Sequence, residues 1–320
     1  MNSISYIALQ SAGMLIAISL CLNAQRICNA LNLMDIPIGR KKHSAPTPLM
    51  GGVAILGSFV PVALICIVVF ASERWFWSLL IWLCCVAAMA LVGLGDDRHS
   101  LSPRLRLIIS FAVFAAAAAV DPTFNVRVLD FNIPPLTLGL GTWWLAVFFT
   151  IICCVGLLNS INMADGKNGL VLGLSLGWLS ILAIRAVGPL LPLIGLFAGV
   201  MMVLFVFNMR GKLFLGDGGA YAIATGVGLL AIMIYNTPGT YTLRAISADE
   251  LVLLFVVPVA DSFRLTYKRV RQGRSPMSAD RDHLHHHLQD KFGWPKGLYV
   301  YWILALLPSA FYLALTSIRD

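Results

Sequence analysis

The stretch WFWSLLIWLCCVAAMALVGLGDD, residues 75–97, decides the fold class of this chain. It carries no charge until two adjacent aspartates, Asp96 and Asp97, end it, and its apolar part matches the ~20 residues with which an α-helix spans a bilayer. Apolar residues make up 59% of the 320 positions and charged residues 12%, against roughly a quarter charged in an ordinary soluble domain. The chain is therefore predicted to be an integral membrane protein.

Ten such segments are predicted to cross the membrane, so the expected fold is an all-α polytopic bundle forming one domain over residues 1–320. The first segment lacks the basic leader of a signal peptide and is expected to be retained as a helix. A short outer hairpin is predicted at residues 121–141, between helices four and five, because apolar and polar residues alternate there. The ten segments lie near residues 4–24, 51–71, 75–95, 105–120, 142–159, 170–186, 189–207, 218–235, 250–268 and 298–316.

The basic residues indicate the orientation of the bundle. With the N-terminus outside, 18 of the 23 lysines and arginines fall on the inner side, which the positive-inside rule assigns to the cytoplasm. The net charge of +8 is interpreted mainly as a sign of this topology, because basic inner loops account for it without a nucleic acid partner. The five basic residues left outside are Arg74, Arg127, Arg185, Arg244 and Arg319.

Aspartates gather at the inner ends of the predicted spans. A carboxylate in or beside a membrane is energetically costly, so each of these residues is a candidate functional residue. Adjacent carboxylates repel each other without a cation, and Mg²⁺ prefers one or two carboxylates together with phosphates. The alternative is that these residues are ordinary helix caps and surface acids. The acidic motifs are Gly95-Asp96-Asp97, the run from Asn159 to Gly166, and the run from Phe214 to Gly219.

The inner loop near residue 280 holds four of the six histidines, from His283 to His287. If this loop is helical, His283 and His287 lie on one face. Nearby arginines and lysine favour hydrogen bonds to a diphosphate, while a zinc site and a solvated basic loop stay open. The cysteines form no Cys-x-x-Cys pair and are interpreted as small buried side chains, which concerns Cys66, Cys84, Cys85, Cys153 and Cys154.

These motifs, in this order, resemble those of the polyprenyl-phosphate N-acetylhexosamine-1-phosphate transferases, membrane enzymes that initiate bacterial cell-surface glycans. The resemblance runs from about Asp35 to Gly293, and the form of the histidine loop is similar to the N-acetylglucosamine branch. The matching pieces are the His43 to Gly52 segment, Gly95-Asp96-Asp97, Asn159 to Gly169, Phe214 to Asp217, Pro258 to Asp261, and Ser275 to His287.

The resemblance implies ten or eleven helices around a cytoplasmic-facing cleft in the bacterial inner membrane. It implies transfer of a sugar phosphate from a uridine diphosphate N-acetylhexosamine to undecaprenyl phosphate, with uridine monophosphate leaving and Mg²⁺, or Mn²⁺, as cofactor. A homodimer stays open. The implied catalytic residues are Asp96, Asp97, Asp165 and His283, and the implied metal ligands are Asp217, Asp96 and Asp97. The implied substrate-binding residues are His43, Asn159, Asn162, Asn168, Asn208, Phe214, Arg281, His285, His286 and His287.

The chain also departs from the family pattern. Asn168 stands where a second aspartate is usual, and an amide can hydrogen-bond a uracil edge but cannot act as a base. This departure concerns the choice of sugar or nucleotide more than the reaction. Two other classes stay open: an ion-coupled transporter, since intramembrane acids also mark ion pathways, and a lipid-phosphate-binding scaffold without catalysis.

Overall fold

A computed structural model of the chain describes residues 3–37, 45–238, 245–275 and 282–317. Two of the predicted substrate-binding residues, His43 and Arg281, lie outside these ranges. The described residues are mostly helical, with two short two-stranded sheets. The longer elements are α1 (Ser3–Leu22), α2 (Ala24–Leu31), α3 (Gly51–Ala54), α4 (Val60–Phe70), α5 (Glu73–His99), α6 (Pro103–Val120), α7 (Trp143–Ala164), α8 (Leu170–Arg185), α9 (Leu190–Met209), α10 (Gly216–Tyr235), α11 (Ala248–Arg271), α12 (Leu284–Phe292) and α13 (Lys296–Ser317).

Eight helical segments of the described chain are long and apolar enough to cross a membrane. One of them, Gly51–Phe70, joins α3 to α4 through a π-helical turn at Ile55–Phe59. The predicted class, an all-α polytopic membrane protein, is confirmed. Two further predicted spans are helical but fall outside this set: α8 is shorter, with 16 residues, and α11 carries charges at both ends.

The strands are few and short. β1 (Met34–Asp35) and β2 (Thr47–Pro48) form one antiparallel pair. β3 (Val128–Asn132) and β4 (Pro135–Gly139) form the other, with Asp130 opposite Thr137. The second pair is the hairpin predicted between the fourth and fifth spans.

The chain divides into two compact units, and the prediction of a single transferase domain stays a prediction. The first unit comprises residues Met1–Ile109 and Val187–Gly226. An aromatic cluster forms part of its interior, in which Phe59 lies 4.5 Å from Phe197 and 5.7 Å from Trp82, measured between ring centroids. The Trp82 indole N–H donates to the Gly226 carbonyl over 3.0 Å.

Small residues let helices of this first unit approach each other. Gly195 and Gly199 lie one turn apart on α9, where α9 packs against α1. A Cβ at Gly195 would lie 2.5 Å from Nε2 of Gln10, and one at Gly199 would lie 3.0 Å from Cγ of Met14. Because lipid is as apolar as a leucine side chain, close backbone contact of this kind is a main source of helix association in membranes.

The second unit comprises residues Ser110–Ala186 and Val227–Asp320, with α13 packed against α8, α11 and α12. The hairpin is held within this unit by polar contacts. The Tyr235 hydroxyl accepts from the Asp130 N–H over 2.8 Å and donates to the Val128 carbonyl over 2.7 Å. The Asp249 carboxylate accepts from the Ile133 N–H over 3.1 Å.

All seven cysteines are free. Five of them are buried, as small side chains in apolar runs should be. Cys84 and Cys153 are exposed, which corrects their interpretation as buried residues. Both lie on helices that qualify as membrane spans, so a helix surface facing lipid accounts for an apolar side chain at an exposed position.

Candidate functional site

Two carboxylates of the first unit share one arginine. Asp96, near the end of α5, is 6% exposed and forms an ion pair with Arg106 of α6. Asp217, in the first turn of α10, places its Oδ2 3.6 Å from the same guanidinium nitrogen, Nη1. Two acidic side chains, one buried and one partly exposed, thus lie around one cationic nitrogen, and an opposite charge between like charges offsets their repulsion.

Asp97 has a different environment from its neighbour. Its Oδ1 accepts from the Asp217 N–H over 2.8 Å, and its Oδ2 accepts from the Gly218 N–H over 3.0 Å. These amides belong to the first turn of α10, where N–H groups have no partner within the helix. Asp97 therefore caps α10 and fixes the backbone that carries Asp217.

Glycines permit this close contact between α5 and α10. A Cβ at Gly93 would lie 2.3 Å from the Asp217 carbonyl oxygen, closer than real Cβ contacts. Gly216 has a φ of +71°, which side chains rarely adopt, and a Cβ there would lie 2.7 Å from Oδ2 of Asp97. Gly93, three residues before Asp96, and Gly216, directly before Asp217, are therefore required by packing.

The chemistry of this group fits Mg²⁺ better than zinc. Hard carboxylate oxygens from Asp96 and Asp217 surround a position of positive charge, and Mg²⁺ in proteins is often held by one or two carboxylates together with substrate phosphates. Nowhere in the described ranges do three or more histidine, cysteine, aspartate or glutamate side chains form a group that could hold a metal ion unaided. A role of Asp97 as a direct ligand stays a prediction, since both of its oxygens are engaged by amides.

Two predicted substrate-binding residues lie in the first unit, close along the chain to Asp217. Asn208 is buried, and its Nδ2 donates to the Leu213 carbonyl over 2.9 Å, which closes the turn after α9. Phe214 is held through its backbone: its N–H donates to the Pro48 carbonyl over 2.8 Å, and its carbonyl accepts from the Met50 N–H over 3.0 Å. The structure therefore fixes the segment that leads into α10, and substrate contact by both side chains stays a prediction.

The four histidines of the inner loop, His283, His285, His286 and His287, belong to the second unit. α12 begins at Leu284, with His283 as its N-cap residue. His283 is 8% exposed, and its Nδ1 lies 3.1 Å from Oδ2 of Asp261 on α11. The same carboxylate accepts from the Leu284 N–H over 3.1 and 3.2 Å.

His285 is the most buried of these histidines, with 1% exposure. Burial, followed by the neighbouring His286 and His283, lowers the pKa of His285 to about 3, so its ring is neutral at physiological pH. Within the part of the chain that the structure describes, neither ring nitrogen has a hydrogen-bond partner. A Cβ at Gly166 would lie 2.4 Å from its Nε2, so His285 lies directly beside the Asp165-Gly166 motif.

The last histidine faces solvent. His287 Nε2 lies 2.8 Å from Oδ1 of Asp282, which also forms an ion pair with Lys268. The Lys268 hydrogen bond, with further help from His287, lowers the pKa of Asp282 to about 2. His283 and His287, predicted to share a face if the loop is helical, are the N-cap residue and a residue of α12, and their side chains have different partners. His286 packs on His285, with ring centroids 4.2 Å apart.

The end of α7 carries the other predicted residues of this unit. Asn159 donates from Nδ2 to the Val155 carbonyl of its own helix over 2.8 Å. Asp165 is the C-cap of α7, with its N–H directed to the carbonyls of Ile161 and Asn162. Asn168 lies two residues after Gly166, in the turn that leads into α8. The structure thus brings Asp165 near His285 within one unit and gathers Asp96, Asp97 and Asp217 in the other.

Sequence reasoning missed two residues of these groups. Arg106 lies ten positions after Asp96, and no motif marked it among the basic residues of its loop. The turn at Ser102-Pro103, which starts a new helix, was the available signal, since it reverses the chain soon after the aspartates. Asp261 was noted only as part of a matching motif, and its distance in sequence from His283 concealed the contact.

Fold and site together define a polytopic membrane protein with two polar groups at helix ends, one of carboxylates and arginine and one of histidines and carboxylates. Residues 79–235 match the model of glycosyl transferase family 4. Over this range, which holds Asp96, Asp97, Asp165 and Asp217, the chain is similar to members of this family.

Curated relatives are similar to the chain over most of its length. The chain is 28% identical over 278 residues to an undecaprenyl-phosphate alpha-N-acetylglucosaminyl 1-phosphate transferase of Salmonella typhi, covering 82% of this chain and 71% of the relative. It is 27% identical over 285 residues to the protein of that name in Escherichia coli K12, with the same coverage. It is also 27% identical to a probable undecaprenyl-phosphate N-acetylglucosaminyl 1-phosphate transferase of Bacillus subtilis, covering 82% of this chain and 72% of the relative.

Proposed function

We propose that this protein transfers N-acetylglucosamine 1-phosphate from a uridine diphosphate sugar to undecaprenyl phosphate, which yields the lipid diphosphate sugar and uridine monophosphate. The observation that carries this proposal is the similarity to transferases of that name across 82% of the chain. The Asp96, Asp217 and Arg106 group supports it, because it offers both hard oxygen ligands and a cation to a diphosphate. Initiation of a cell-surface glycan, such as a lipopolysaccharide O-antigen, is the corresponding role.

In this reaction an oxygen of the lipid phosphate attacks the sugar-linked phosphorus, and the bond from that phosphorus to the oxygen of uridine monophosphate breaks. A phosphate monoester with a second pKa near ~6 is largely dianionic at neutral pH, so no strong general base is required. Asp217 and Asp96 would hold Mg²⁺, or Mn²⁺, with Asp97 fixing the Asp217 backbone. When bound, the ion supplies positive charge that neutralises the diphosphate.

The side chains of this chain have complementary tasks in the proposal. Arg106 forms an ion pair with Asp96, lies beside Asp217, and offers its N–H groups to a phosphate. His283, with Asp165 as the second candidate of its unit, is proposed to contact the reacting phosphates. His285, His286 and His287, together with Asn159, Asn162, Asn168, Asn208 and Phe214, are proposed to contact the donor or the acceptor.

A two-step reaction with a covalent phospho-sugar on an aspartate is the alternative chemical route. It predicts that enzyme given only the labelled donor becomes labelled. Incubation with radiolabelled donor and no lipid acceptor, followed by gel electrophoresis, separates the two routes. Unlabelled protein from a preparation that turns over normally supports direct transfer.

We further propose that the protein lies in the bacterial inner membrane with these side chains facing the cytoplasm. The distribution of basic residues supports this orientation, since inner loops are rich in lysine and arginine. Cysteine labelling of intact cells tests it: a single cysteine in place of Lys212, on the predicted inner side, should resist an impermeant maleimide, and one in place of Thr137 of the hairpin should react. Light scattering of the purified protein decides whether it forms a homodimer.

The transferase assay uses purified protein, undecaprenyl phosphate and a panel of uridine diphosphate sugars, with uridine monophosphate release as the readout. We expect turnover that EDTA stops and Mg²⁺ restores. Asp217→Asn should abolish transfer and leave the protein inserted in the membrane. Binding of both substrates without nucleotide release would favour a lipid-phosphate scaffold instead, and uptake of a solute into proteoliposomes would favour a transporter.

The sugar is the least constrained part of the proposal, because Asn168 stands where the family usually has aspartate. Asn168→Asp restores the carboxylate without a change in size. We expect this variant to change the ratio of kcat/KM values among N-acetylated donors more than it changes the rate with the best one. Equal changes for every donor would place Asn168 outside the sugar and nucleotide contacts.

A further inference from the structure

The side chain of Asp261, on α11, lies where α11 meets the start of α12 and accepts hydrogen bonds from three protein groups. Asp261 is 9% exposed and receives three kinds of donor. These are Nδ1 of His283 over 3.1 Å, the N–H of Leu284 over 3.1 Å, and Nη2 of Arg264 over 2.9 Å. A carboxylate with this many partners is not a free base or a free metal ligand.

The contact with His283 fixes the state of the imidazole ring. A carboxylate accepts but does not donate, so Nδ1 must carry the proton. The other nitrogen, Nε2, then presents its lone pair, or a second proton when the ring is charged. Within residues 282–317 and the other described ranges, no side chain or backbone group bonds to Nε2. The neighbouring His285 ring lies parallel, 5.4 Å away and at 10°, which further limits rotation of His283.

We propose that Asp261 is a positioning residue that holds His283 in one tautomer and one orientation, so that Nε2 is presented to the phosphates of the reaction. This inference rests on the proposed function, in which His283 contacts those phosphates. Histidines that act on metals or substrates are commonly oriented by a carboxylate on the other ring nitrogen. Asp261 was not among the predicted site residues.

Arg264 strengthens this arrangement, because it links the Asp261 carboxylate to the end of the connection between α11 and α12. Its guanidinium bonds both to Oδ1 of Asp261 and to the Asp282 backbone carbonyl, directly before His283. Side chains of α11 therefore form hydrogen bonds with the residues on both sides of His283. Arg264 donates to the Asp282 carbonyl, and Asp261 accepts from the Leu284 N–H. The ring is anchored at its backbone and at Nδ1, which leaves one direction for Nε2.

A purely structural account competes with this proposal, because Asp261 also supplies an acceptor to the first turn of α12. The two accounts differ for Asp261→Asn. Asparagine keeps one acceptor oxygen and satisfies free helix amides about as well as aspartate, so capping alone predicts near wild-type behaviour. The amide has one oxygen, which must face the Arg264 donor at the Oδ1 position, where it still accepts from the Leu284 N–H. Its NH₂ group then faces Nδ1 of His283 in place of Oδ2, so the ring loses its fixed tautomer.

The test measures kcat and KM of the full-length protein in the transferase assay. We expect Asp261→Asn to lower kcat by roughly 10- to 100-fold, with a smaller change in KM for the donor, as for other residues that orient a functional histidine. Asp261→Glu keeps a carboxylate and should retain more activity than the asparagine variant. Asp290→Asn is the matched control, since it makes the same substitution at an exposed position of α12 and should stay within about twofold of wild type.

A double-mutant cycle shows whether Asp261 acts through His283. In a His283→Gln background, Asp261→Asn should reduce the remaining rate by no more than about twofold, because the group that it positions is gone. An equal reduction in both backgrounds overturns the proposal, as does an asparagine variant with wild-type kcat. If Asp261→Asn fails to fold, Asp261→Glu is compared with Asp261→Ala. The proposal fails if Asp261→Glu folds but is no more active than Asp261→Ala. A wild-type protein that releases no nucleotide rejects the proposed function instead, so the two failures are distinct.

Discussion

Replacement of Arg106 by glutamine removes the cation that Asp96 and Asp217 share, and its effect can be worked out from the structure. Breaking a fully buried ion pair costs about 3–5 kcal/mol, because one charge is left unpaired. Asp96 is almost fully buried, but a quarter of the Arg106 side chain, 25%, is exposed, so solvent screens part of the loss. We therefore expect Arg106→Gln to lower the free energy of unfolding by about 2–3 kcal/mol.

A divalent ion should restore part of this stability. An ion at ten times its dissociation constant stabilises the state that binds it by about 1.4 kcal/mol. Without the guanidinium, the two carboxylates bind a cation more tightly, so Mg²⁺ should raise the unfolding temperature of the variant by more than that of wild type. Fluorescence-detected thermal unfolding in detergent, with EDTA or with a Mg²⁺ series, measures both shifts.

Arg104→Gln is the matched control, because Arg104 is exposed one half-turn earlier on α6. It should change neither the unfolding temperature nor the response to Mg²⁺. The reasoning is refuted if Arg106→Gln is as stable as wild type in EDTA. It is also refuted if Mg²⁺ stabilises wild type and the variant equally, since the arginine would then not occupy the place of the ion.

Three further outcomes follow from single contacts. Gly93→Ala should lower thermal stability and transfer, because its Cβ would meet a carbonyl oxygen at 2.3 Å, while Gly95→Ala, with its nearest atom at 3.6 Å, should do neither. The pKa of His285 is about 3 in the folded protein and about 6.5 in the unfolded chain. As pH falls below about 6.5, the unfolded state therefore takes up a proton first, and the free energy of unfolding should decline towards pH 3. His285→Gln should flatten this decline in thermal unfolding scans. Tyr235→Phe removes a hydroxyl with two backbone hydrogen bonds, which should cost about 1–3 kcal/mol and speed hydrogen exchange in the hairpin without changing kcat.

Periodicity and charge predicted the membrane class, most span positions and the hairpin, because these depend on local composition. The number of spans was harder to predict. The α8 segment is apolar up to Arg185 at its end but has only 16 residues. α11 carries acidic residues at its start and basic residues at its end. The crossing of the membrane by these two helices therefore stays a prediction.

Motifs predicted which carboxylates gather, but not how they are partnered. The acidic residues were visible because charge is rare in this chain. Arg106 and Asp261 were not predicted as site residues, because their partners are brought to them by tertiary packing across a turn or across two helices. The different partners of His283 and His287 were not visible in the sequence either, because Asp261 comes from another helix and Asp282 from the loop before α12.

The adjacent aspartates illustrate how one motif serves two purposes. Successive residues of a helix point about 100° apart, so Asp96 and Asp97 cannot face the same ligand in the same way. Asp96 turns to Arg106, and Asp97 turns to the amides of Asp217 and Gly218. One carboxylate is thus available to exchange its arginine for another cation, while its neighbour fixes the backbone that carries the second carboxylate. A requirement for both aspartates in such a site does not mean that both touch the ion, and the loss of either would look alike in an activity assay alone.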